Sequence, residues 1–356
     1  MRNNKTFGIA SHTKTRVIIN NLRTALCVSA SLREIIGAIL LTTALIACKN
    51  SVPGTIRVVL DWTPNTNHTG LYAALEKGWF AEEGLSVEII QPPEDGALLL
   101  LASGRAEFAI DFQETMGPAI AKEREAMPLI AVAAIISRNT SGIMSLADSS
   151  INRPNDLEGK RFASWETPLV TAIIKTIVEN DGGDFSAVTL IPNFATDAFS
   201  ALKTDIDAIW IYYAWDGIAA DVKGVEVGFL DLKELNPLFD FYTPVIAANT
   251  NWLEANPETA KKFLHAASRG YMYAIENPRD AAEILLQYAP ELDRELVMRS
   301  QEYLQTRYQG DAPRWGEIDS ERWGNFYQWM FEQGLLEKNI GTGGFTNEFL
   351  PVRSEE

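Results

Sequence analysis

The stretch Asp61-Trp62-Thr63-Pro64-Asn65-Thr66-Asn67-His68-Thr69-Gly70 decides the predicted fold. The apolar residues 56–60 before it predict a buried strand, and residues 70–80 after it predict a helix. Aromatic, amide and imidazole groups therefore lie on a loop at the carboxyl end of the first strand. In open α/β sheets, ligands bind at that edge. The alternative is turn chemistry, because Asn and Thr cap helices and Pro fixes a bend, but a turn needs neither the Trp nor the His.

The sequence beyond this loop alternates between strand and helix patterns up to about residue 230. Further strands are predicted at residues 86–90, 107–111, 129–136, 160–163, 187–191, 207–211 and 225–230. Further helices are predicted at residues 95–103, 114–124, 167–181, 197–203, 215–222, 251–255, 257–276, 278–288, 293–307 and 319–333. This order indicates an α/β chain with parallel sheets flanked by helices.

Alternating units followed by a helical tail favour a two-lobe periplasmic-binding-protein fold of type II, with a mainly parallel sheet in each lobe. Lobe one is expected to comprise residues 55–142 and 246–340, and lobe two residues 143–245. A small ligand is expected in the cleft between the lobes.

The N-terminal segment has the pattern of a secreted lipoprotein. Residues 35–47 are almost wholly apolar and follow Arg23 and Arg33, which is typical of a signal-peptide core and too short for a membrane span. Leu45-Ile46-Ala47-Cys48 matches a lipobox. Residues 1–47 are therefore predicted to be a leader, Cys48 to be acylated, and residues 48–54 to be a tether. The alternative is an ordinary Ala-type signal-peptide cleavage site nearby, in which case Cys48 has no role in anchoring. The expected location is extracytoplasmic, lipid-anchored to the bacterial cell membrane.

Charge and cysteine content exclude several function classes. The formal net charge is −16, and removal of the basic leader makes the remaining chain more acidic. Such a surface disfavours nucleic acid as a partner. The two cysteines, Cys27 and Cys48, precede the predicted domain, so it has no disulfide framework or thiol nucleophile. No metal-ligand spacing or P-loop is found. We therefore expect neither a metal nor a cofactor. The protein is also expected to be a monomer.

Four loops are expected to line the cleft, at residues 61–70, 111–115, 163–168 and 212–217. They contain acids, among them Glu114 and Glu166, and several aromatic rings, but no Arg or Lys. A phosphate- or carboxylate-bearing ligand usually needs those cations. A flat, weakly basic heterocycle needs aromatic faces and an acid at its amino edge. Core packing is the alternative for each ring. The predicted ligand-binding residues are Trp62, Asn65, His68, Asp111, Gln113, Ser164, Trp165, Tyr212, Tyr213, Trp215 and Asp216.

The first loop, with Lys77-Gly78-Trp79-Phe80-Ala81-Glu82-Glu83-Gly84-Leu85 after it, resembles the substrate-binding proteins of thiamin-pyrimidine ABC importers. Their family also includes the fungal thiamin-pyrimidine synthases. The resemblance continues at residues 101–110, 206–210 and 252–258. It implies a solute-binding protein that delivers a thiamin-pyrimidine precursor, aminopyrimidine or formylaminopyrimidine, to an ABC permease with its ATPase.

The same resemblance implies roles for three residues. Asn65 and His68 fall at ligand-contact positions of the family, and their alternative is hydrogen bonding inside the loop. In the resembled importers an acid at the place of Asp216, often Glu followed by Gly, reaches the aminopyrimidine edge. Here the acid is Asp, one methylene shorter, and its alternative is a favourable helix N-terminal charge.

Other functions remain open at this stage. The family's synthases carry a cysteine-rich motif in their second half, and this chain has no Cys after Cys48, so a non-enzyme is predicted. The alternatives are a pyrimidine-synthesising enzyme, a protein that binds another flat heterocycle such as riboflavin, and a stand-alone lipoprotein sensor. Glycoside chemistry by Asp111 and Asp216 would need a particular separation of the two carboxyls.

Overall fold

The computed structural model describes residues 54–94, 96–122, 127–165, 167–192 and 198–352. The predictions for the leader, for Cys48 and for Glu166 lie outside these described residues. Ten strands occur within them: β1 Ile56–Val59, β2 Val87–Ile90, β3 Phe108–Asp111, β4 Leu129–Ala134, β5 Ser141–Leu146, β6 Arg161–Ser164, β7 Thr189–Pro192, β8 Ala208–Tyr212, β9 Val227–Asp231 and β10 Val245–Asn249.

The helices of the described residues fall between and after these strands. They are α1 Thr69–Glu76, α2 Trp79–Glu82, α3 Ala97–Ala102, α4 Gln113–Ile120, α5 Pro168–Asn180, α6 Ala198–Leu202, α7 Ile218–Lys223, α8 Leu232–Leu235, α9 Thr250–Ala255, α10 Pro257–Glu276, α11 Pro278–Tyr288, α12 Arg294–Leu304 and α13 Ser320–Glu332. The helix predicted over residues 70–80 is divided at Gly78, whose left-handed φ of 73° ends α1 and starts α2. No described helix is both long and apolar enough to cross a membrane.

The strands form two five-stranded sheets with matching topology. The first has the order β2-β1-β3-β10-β4 and the second the order β7-β6-β8-β5-β9. In the first sheet β10 runs antiparallel to β3 and β4, and in the second β5 runs antiparallel to β8 and β9. The paired strands β1–β2, β1–β3, β6–β7 and β6–β8 are parallel. Each sheet is therefore mainly parallel with one antiparallel strand, which is inserted at the same place in both.

The chain crosses from the first sheet to the second after β4 and returns before β10. The two crossing segments are bonded to each other. The Asn139 side chain donates to the Phe239 carbonyl at 2.7 Å, and the Asn139 backbone N–H donates to the Asp240 carboxylate at 2.9 Å. Arg138 and Arg322 also donate to that carboxylate. Because Asn139 is fully buried, these bonds hold the two crossings side by side.

The N-terminal motif packs on the helical tail through two glycines. A Cβ added at Gly70 would lie 2.3 Å from the Tyr271 ring, and a Cβ added at Gly270 would lie 1.9 Å from the Gly70 carbonyl oxygen. Helices α1 and α10 therefore approach more closely than side chains would allow. Below this contact, the stacked rings of Phe108 and Phe263, with centroids 4.0 Å apart, fill the core on that face of the first sheet.

Candidate functional site

The loop after β1 is held together by its own polar groups. The Asn65 side chain caps the short 3₁₀ turn Thr66–His68, accepting from the Asn67 N–H at 2.9 Å and donating to the Thr63 carbonyl at 3.2 Å. Asn65 is buried, whereas Trp62 in the same loop is 53% exposed. The amide of Asn65 is thus used inside the loop, and the Trp62 ring is left on the surface.

The imidazole of His68 is fully buried and bonded through both nitrogens. Its Nδ1 accepts from the Asn65 backbone N–H at 3.2 Å, so Nε2 carries the proton in the neutral ring. That Nε2–H donates to Asp61 Oδ1 at 2.5 Å. In this arrangement the buried His68 ring connects Asp61 to Asn65 and so fixes the conformation of the loop. The ligand-contact roles given to Asn65 and His68 stay predictions.

Three side chains of the helical tail fasten this loop from outside. The Tyr308 hydroxyl donates to the Thr66 carbonyl at 2.6 Å, and the Tyr271 hydroxyl donates to the Asn67 carbonyl at 2.7 Å. The hydroxyls of Thr66 and Ser300 lie 2.6 Å apart, and Ser300 donates in turn to the carbonyl of Ala214. Ala214 belongs to the π-helical turn Tyr213–Gly217 after β8, so Ser300 connects the first and fourth predicted loops.

The second loop brings two acids to the carboxyl end of β3. Asp111 accepts from the Phe112 N–H at 2.7 Å and from the Thr115 hydroxyl. Burial raises the pKa of Asp111 to about 6, and the nearby charge of Asp61 adds to the rise. Gln113 is fully buried and bonded internally, donating to the Trp323 carbonyl and accepting from the Tyr242 N–H.

Glu114 is the second acid and was not among the predicted binding residues. Burial raises the pKa of Glu114 to about 8, and the neighbouring Asp111 carboxylate raises it further, against a hydrogen bond from Tyr212. It is one of the acids of the predicted second loop, and the structure places it in the first turn of α4. The signal that could have singled it out is its place immediately after a strand that ends in another acid.

Aromatic rings from the two sheets meet beside these acids. Phe112, which follows β3, stacks on Tyr212 at the end of β8, with ring centroids 6.1 Å apart and planes 19° from parallel. Trp165, which follows β6, lies 6.3 Å from Tyr212 and is 47% exposed. Ser164 directly before it is buried. The structure thus brings together Asp111, Trp165 and Tyr212 from the predicted set.

The rest of the fourth loop points to other neighbours. Tyr213 packs between Phe229 and Tyr303, with centroids 4.8 and 5.4 Å away. Trp215 packs against the apolar cluster of Tyr72, Ala73, Ala282, Ile284, Leu285 and Val297. Burial raises the pKa of Asp216 to about 6, opposed by the Tyr212 backbone N–H and the charge of Lys223. Core packing, the alternative for single aromatics, therefore describes the surroundings of Tyr213 and Trp215 in this structure.

The family now follows from comparison with known proteins. The family described as NMT1/THI5 like matches residues 65–281, which include the first loop from Asn65 onward and the other three predicted loops. The chain belongs to the NMT1/THI5-like family. Within that family it is 30% identical over 297 residues to a formylaminopyrimidine-binding protein of Halalkalibacterium halodurans, covering 80% of this chain and 87% of the relative.

A second relative in the family has an enzyme name. The chain is 23% identical over 260 residues to a 4-amino-5-hydroxymethyl-2-methylpyrimidine phosphate synthase of Legionella pneumophila, covering 70% of this chain and 78% of the relative. The family therefore contains proteins named for binding a pyrimidine and proteins named for making one. The resemblance inferred from the first loop is confirmed.

Solved structures establish the fold class. The alkanesulfonate-binding protein SsuA of Xanthomonas axonopodis pv. citri superimposes with a TM-score of 0.63 at 14% identity, covering 83% of this chain and 99% of that one. The predicted two-lobe type II fold, with α/β lobes and mainly parallel sheets, is confirmed. Together with the family, this fold supports a substrate-binding role.

Proposed function

We propose that this protein is the solute-binding component of an ABC importer and captures a thiamin-pyrimidine precursor, aminopyrimidine or formylaminopyrimidine, between its lobes. One observation carries the proposal. The rings of Phe112, directly after β3, and Tyr212, at the end of β8, meet beside the partly buried acids Asp111 and Glu114. A flat, weakly basic ring matches apolar faces and carboxyl acceptors, whereas a sulfonate or phosphate would meet acids there. The pyrimidine-binding relative supports the same choice.

The proposed binding mode uses two kinds of group, aromatic faces and carboxyl acceptors. The ring of the ligand lies against aromatic faces such as Tyr212 and the exposed Trp62. Its exocyclic amine donates to a carboxyl, with Asp216 as the predicted acceptor on lobe two. Closure of the lobes around the ring then gives the form that a permease recognises. Acylation of Cys48 holds the protein at the membrane beside that permease.

Synthesis of the pyrimidine is the second candidate function, because the Legionella pneumophila relative is named as a synthase. The sequence favours binding instead, because it has no Cys after Cys48 with which to form the cysteine-rich motif expected of the synthases. Delivery to a permease also requires that the ligand leave unchanged.

Calorimetry and thermal shift with a panel of pyrimidines, pterins, flavins and polyamines test this proposal. Aminopyrimidine or formylaminopyrimidine should bind and should be recovered unchanged after incubation. At a hundredfold excess over its dissociation constant, a bound ligand adds about 2.7 kcal/mol to the free energy of unfolding. Trp62→Ala should weaken binding, whereas Phe331→Ala, which removes another exposed aromatic ring on α13, should not. Selective binding of a flavin, or turnover of a pyrimidine, would refute the proposal.

A further inference from the structure

The carboxyl of Glu114 accepts hydrogen bonds from its own backbone N–H and from the Tyr212 hydroxyl, but one of its two oxygens is left without a partner among the described residues. Within the described ranges, no donor reaches its buried Oε2. Asp111 nearby accepts from the Phe112 N–H and the Thr115 hydroxyl, and Asp61 accepts from His68. A buried polar atom without a partner is costly and is rare in folded proteins. Its persistence here needs a reason other than folding.

The groups around Glu114 come from both sheets. Tyr212 on β8 interacts through its hydroxyl with the carboxyl, Asp111 lies at the end of β3, and Tyr327 of α13 lies close enough for both acids to raise its pKa. Asp61 at the end of β1 acts on Tyr212 and Asp111 in the same way. These neighbours are acids and phenols, so they supply acceptors and aromatic faces and no positive charge.

This environment keeps Glu114 neutral near pH 7. Burial raises its pKa to about 8, and Asp111 adds to the rise. A neutral carboxyl can donate and accept at once. The edge of an aminopyrimidine offers the matching pair, since its exocyclic amine donates and the adjacent ring nitrogen accepts. An edge with hydrogen in place of the amine would keep the ring nitrogen as an acceptor and lose the donor.

We infer that Glu114 is a specificity-determining residue, whose Oε2 pairs with the amino edge of the bound heterocycle from lobe one. The inference rests on the proposed function and adds to it a second acid, opposite the predicted acceptor Asp216 on lobe two. The stacked rings of Phe112 and Tyr212 beside Glu114 place an aromatic face next to that carboxyl. Selection between pyrimidines with and without the exocyclic amine would then depend on Glu114.

Two substitutions at Glu114 test this inference. Glu114→Leu removes both the donor and the acceptor at similar size, and Glu114→Gln keeps one of each at the same reach. Aminopyrimidine should bind Glu114→Leu about tenfold more weakly than the parent, because one buried hydrogen bond is lost. The matching pyrimidine with hydrogen in place of the amine keeps only the ring nitrogen as a partner for Glu114, so its affinity should fall less in Glu114→Leu than that of aminopyrimidine. Glu114→Gln should keep more affinity for aminopyrimidine than Glu114→Leu does.

The unfolding temperatures of the variants distinguish a role of Glu114 in ligand recognition from a role in folding. Glu114→Gln keeps an acceptor for the Tyr212 hydroxyl and should unfold at the same or a higher temperature than the parent, whereas Glu114→Leu also removes that hydrogen bond. The matched control is Glu88→Gln, at an exposed position on β2, which should change neither property.

The outcomes are distinguishable. If the parent binds no pyrimidine, the proposed function is wrong and this inference falls with it. If the parent prefers the aminopyrimidine and Glu114→Leu keeps the same preference, only the inference is overturned. A lower unfolding temperature with unchanged preference would assign Glu114 to folding alone and would overturn the inference as well.

Discussion

Gly270→Ala tests whether the close contact between α1 and α10 positions the candidate binding loop. Gly270 lies in the middle of α10, and an added Cβ would lie 1.9 Å from the Gly70 carbonyl oxygen and 3.0 Å from the Ala74 Cβ. The first of these atoms is backbone, so no side-chain rotation relieves the clash. The two helices must separate, and α1 begins directly after the loop at residues 61–68.

The expected magnitude combines two opposing effects. Overpacking of a well-packed contact costs about 1–3 kcal/mol, and the clash with backbone places Gly270→Ala at the upper end. Replacement of Gly by Ala inside a helix returns about 1 kcal/mol. We therefore expect the free energy of unfolding to fall by about 2 kcal/mol, which lowers the melting temperature by about 3 °C in a domain of this size.

The matched control is Gly324→Ala in α13. There the added Cβ would lie 3.2 Å from the Thr342 methyl, a side-chain atom that can shift, and 3.5 Å from the backbone of Gly341. This variant should be as stable as the parent or slightly more stable. Scanning calorimetry measures both variants, and titration calorimetry with the best pyrimidine should show weaker binding by Gly270→Ala only. Equal melting temperatures and equal affinities for the two variants would refute the reasoning.

Three further predictions concern titration, recognition and anchoring. Because burial raises the folded-state pKa of Glu114 to about 8 from its usual 4.5, the folded chain keeps a proton that the unfolded chain releases. As the pH rises between those values, the free energy of unfolding of the parent should therefore fall relative to that of Glu114→Gln by up to about 1.4 kcal/mol per pH unit. Urea unfolding measures both proteins, and a difference in free energy that stays constant over this pH range would contradict the prediction. Asp216→Asn should weaken pyrimidine binding by about ten- to hundredfold in calorimetry without unfolding the protein, and an unchanged affinity would remove Asp216 from the site. Mass spectrometry of the mature N-terminus should find lipid on Cys48, and an unmodified terminus beyond that residue would exclude the anchor.

The parallel parts of both sheets could be predicted because their strands are apolar and alternate with helices. The strand predicted at residues 207–211, for example, is observed as Ala208–Tyr212. Both antiparallel strands were missed. β5 contains Ser141 and Gly142, and β10 contains two alanines, which have low strand propensity. Their conformation depends on pairing with strands distant in sequence, which local patterns do not report.

The candidate site was predicted in part. The position of the four loops follows from the ends of strands, which the sequence reveals. The direction of each side chain does not follow from the sequence. Tyr213 and Trp215 lie within three residues of Tyr212, but Tyr213 packs against Phe229 and Tyr303, and Trp215 packs against an apolar cluster of helical residues. The hydroxyls of Tyr271 and Tyr308 that fasten the first loop come from more than 200 residues away. No local signal identifies such partners.

The internal bonding of the first loop has a consequence for selectivity. Because Asn65 and His68 satisfy each other and their neighbours, this loop is ordered before a ligand arrives, and binding need not supply the free energy of ordering it. In the proposed binding mode, polar recognition then falls to Glu114, whose Oε2 has no partner among the described residues, and to the predicted acceptor Asp216 on lobe two. A ligand shifts an equilibrium only by its differential affinity for the two states. A heterocycle that bonds one acid on each lobe gains both bonds only when the lobes are closed, so the same contacts that select the amino edge would also drive closure.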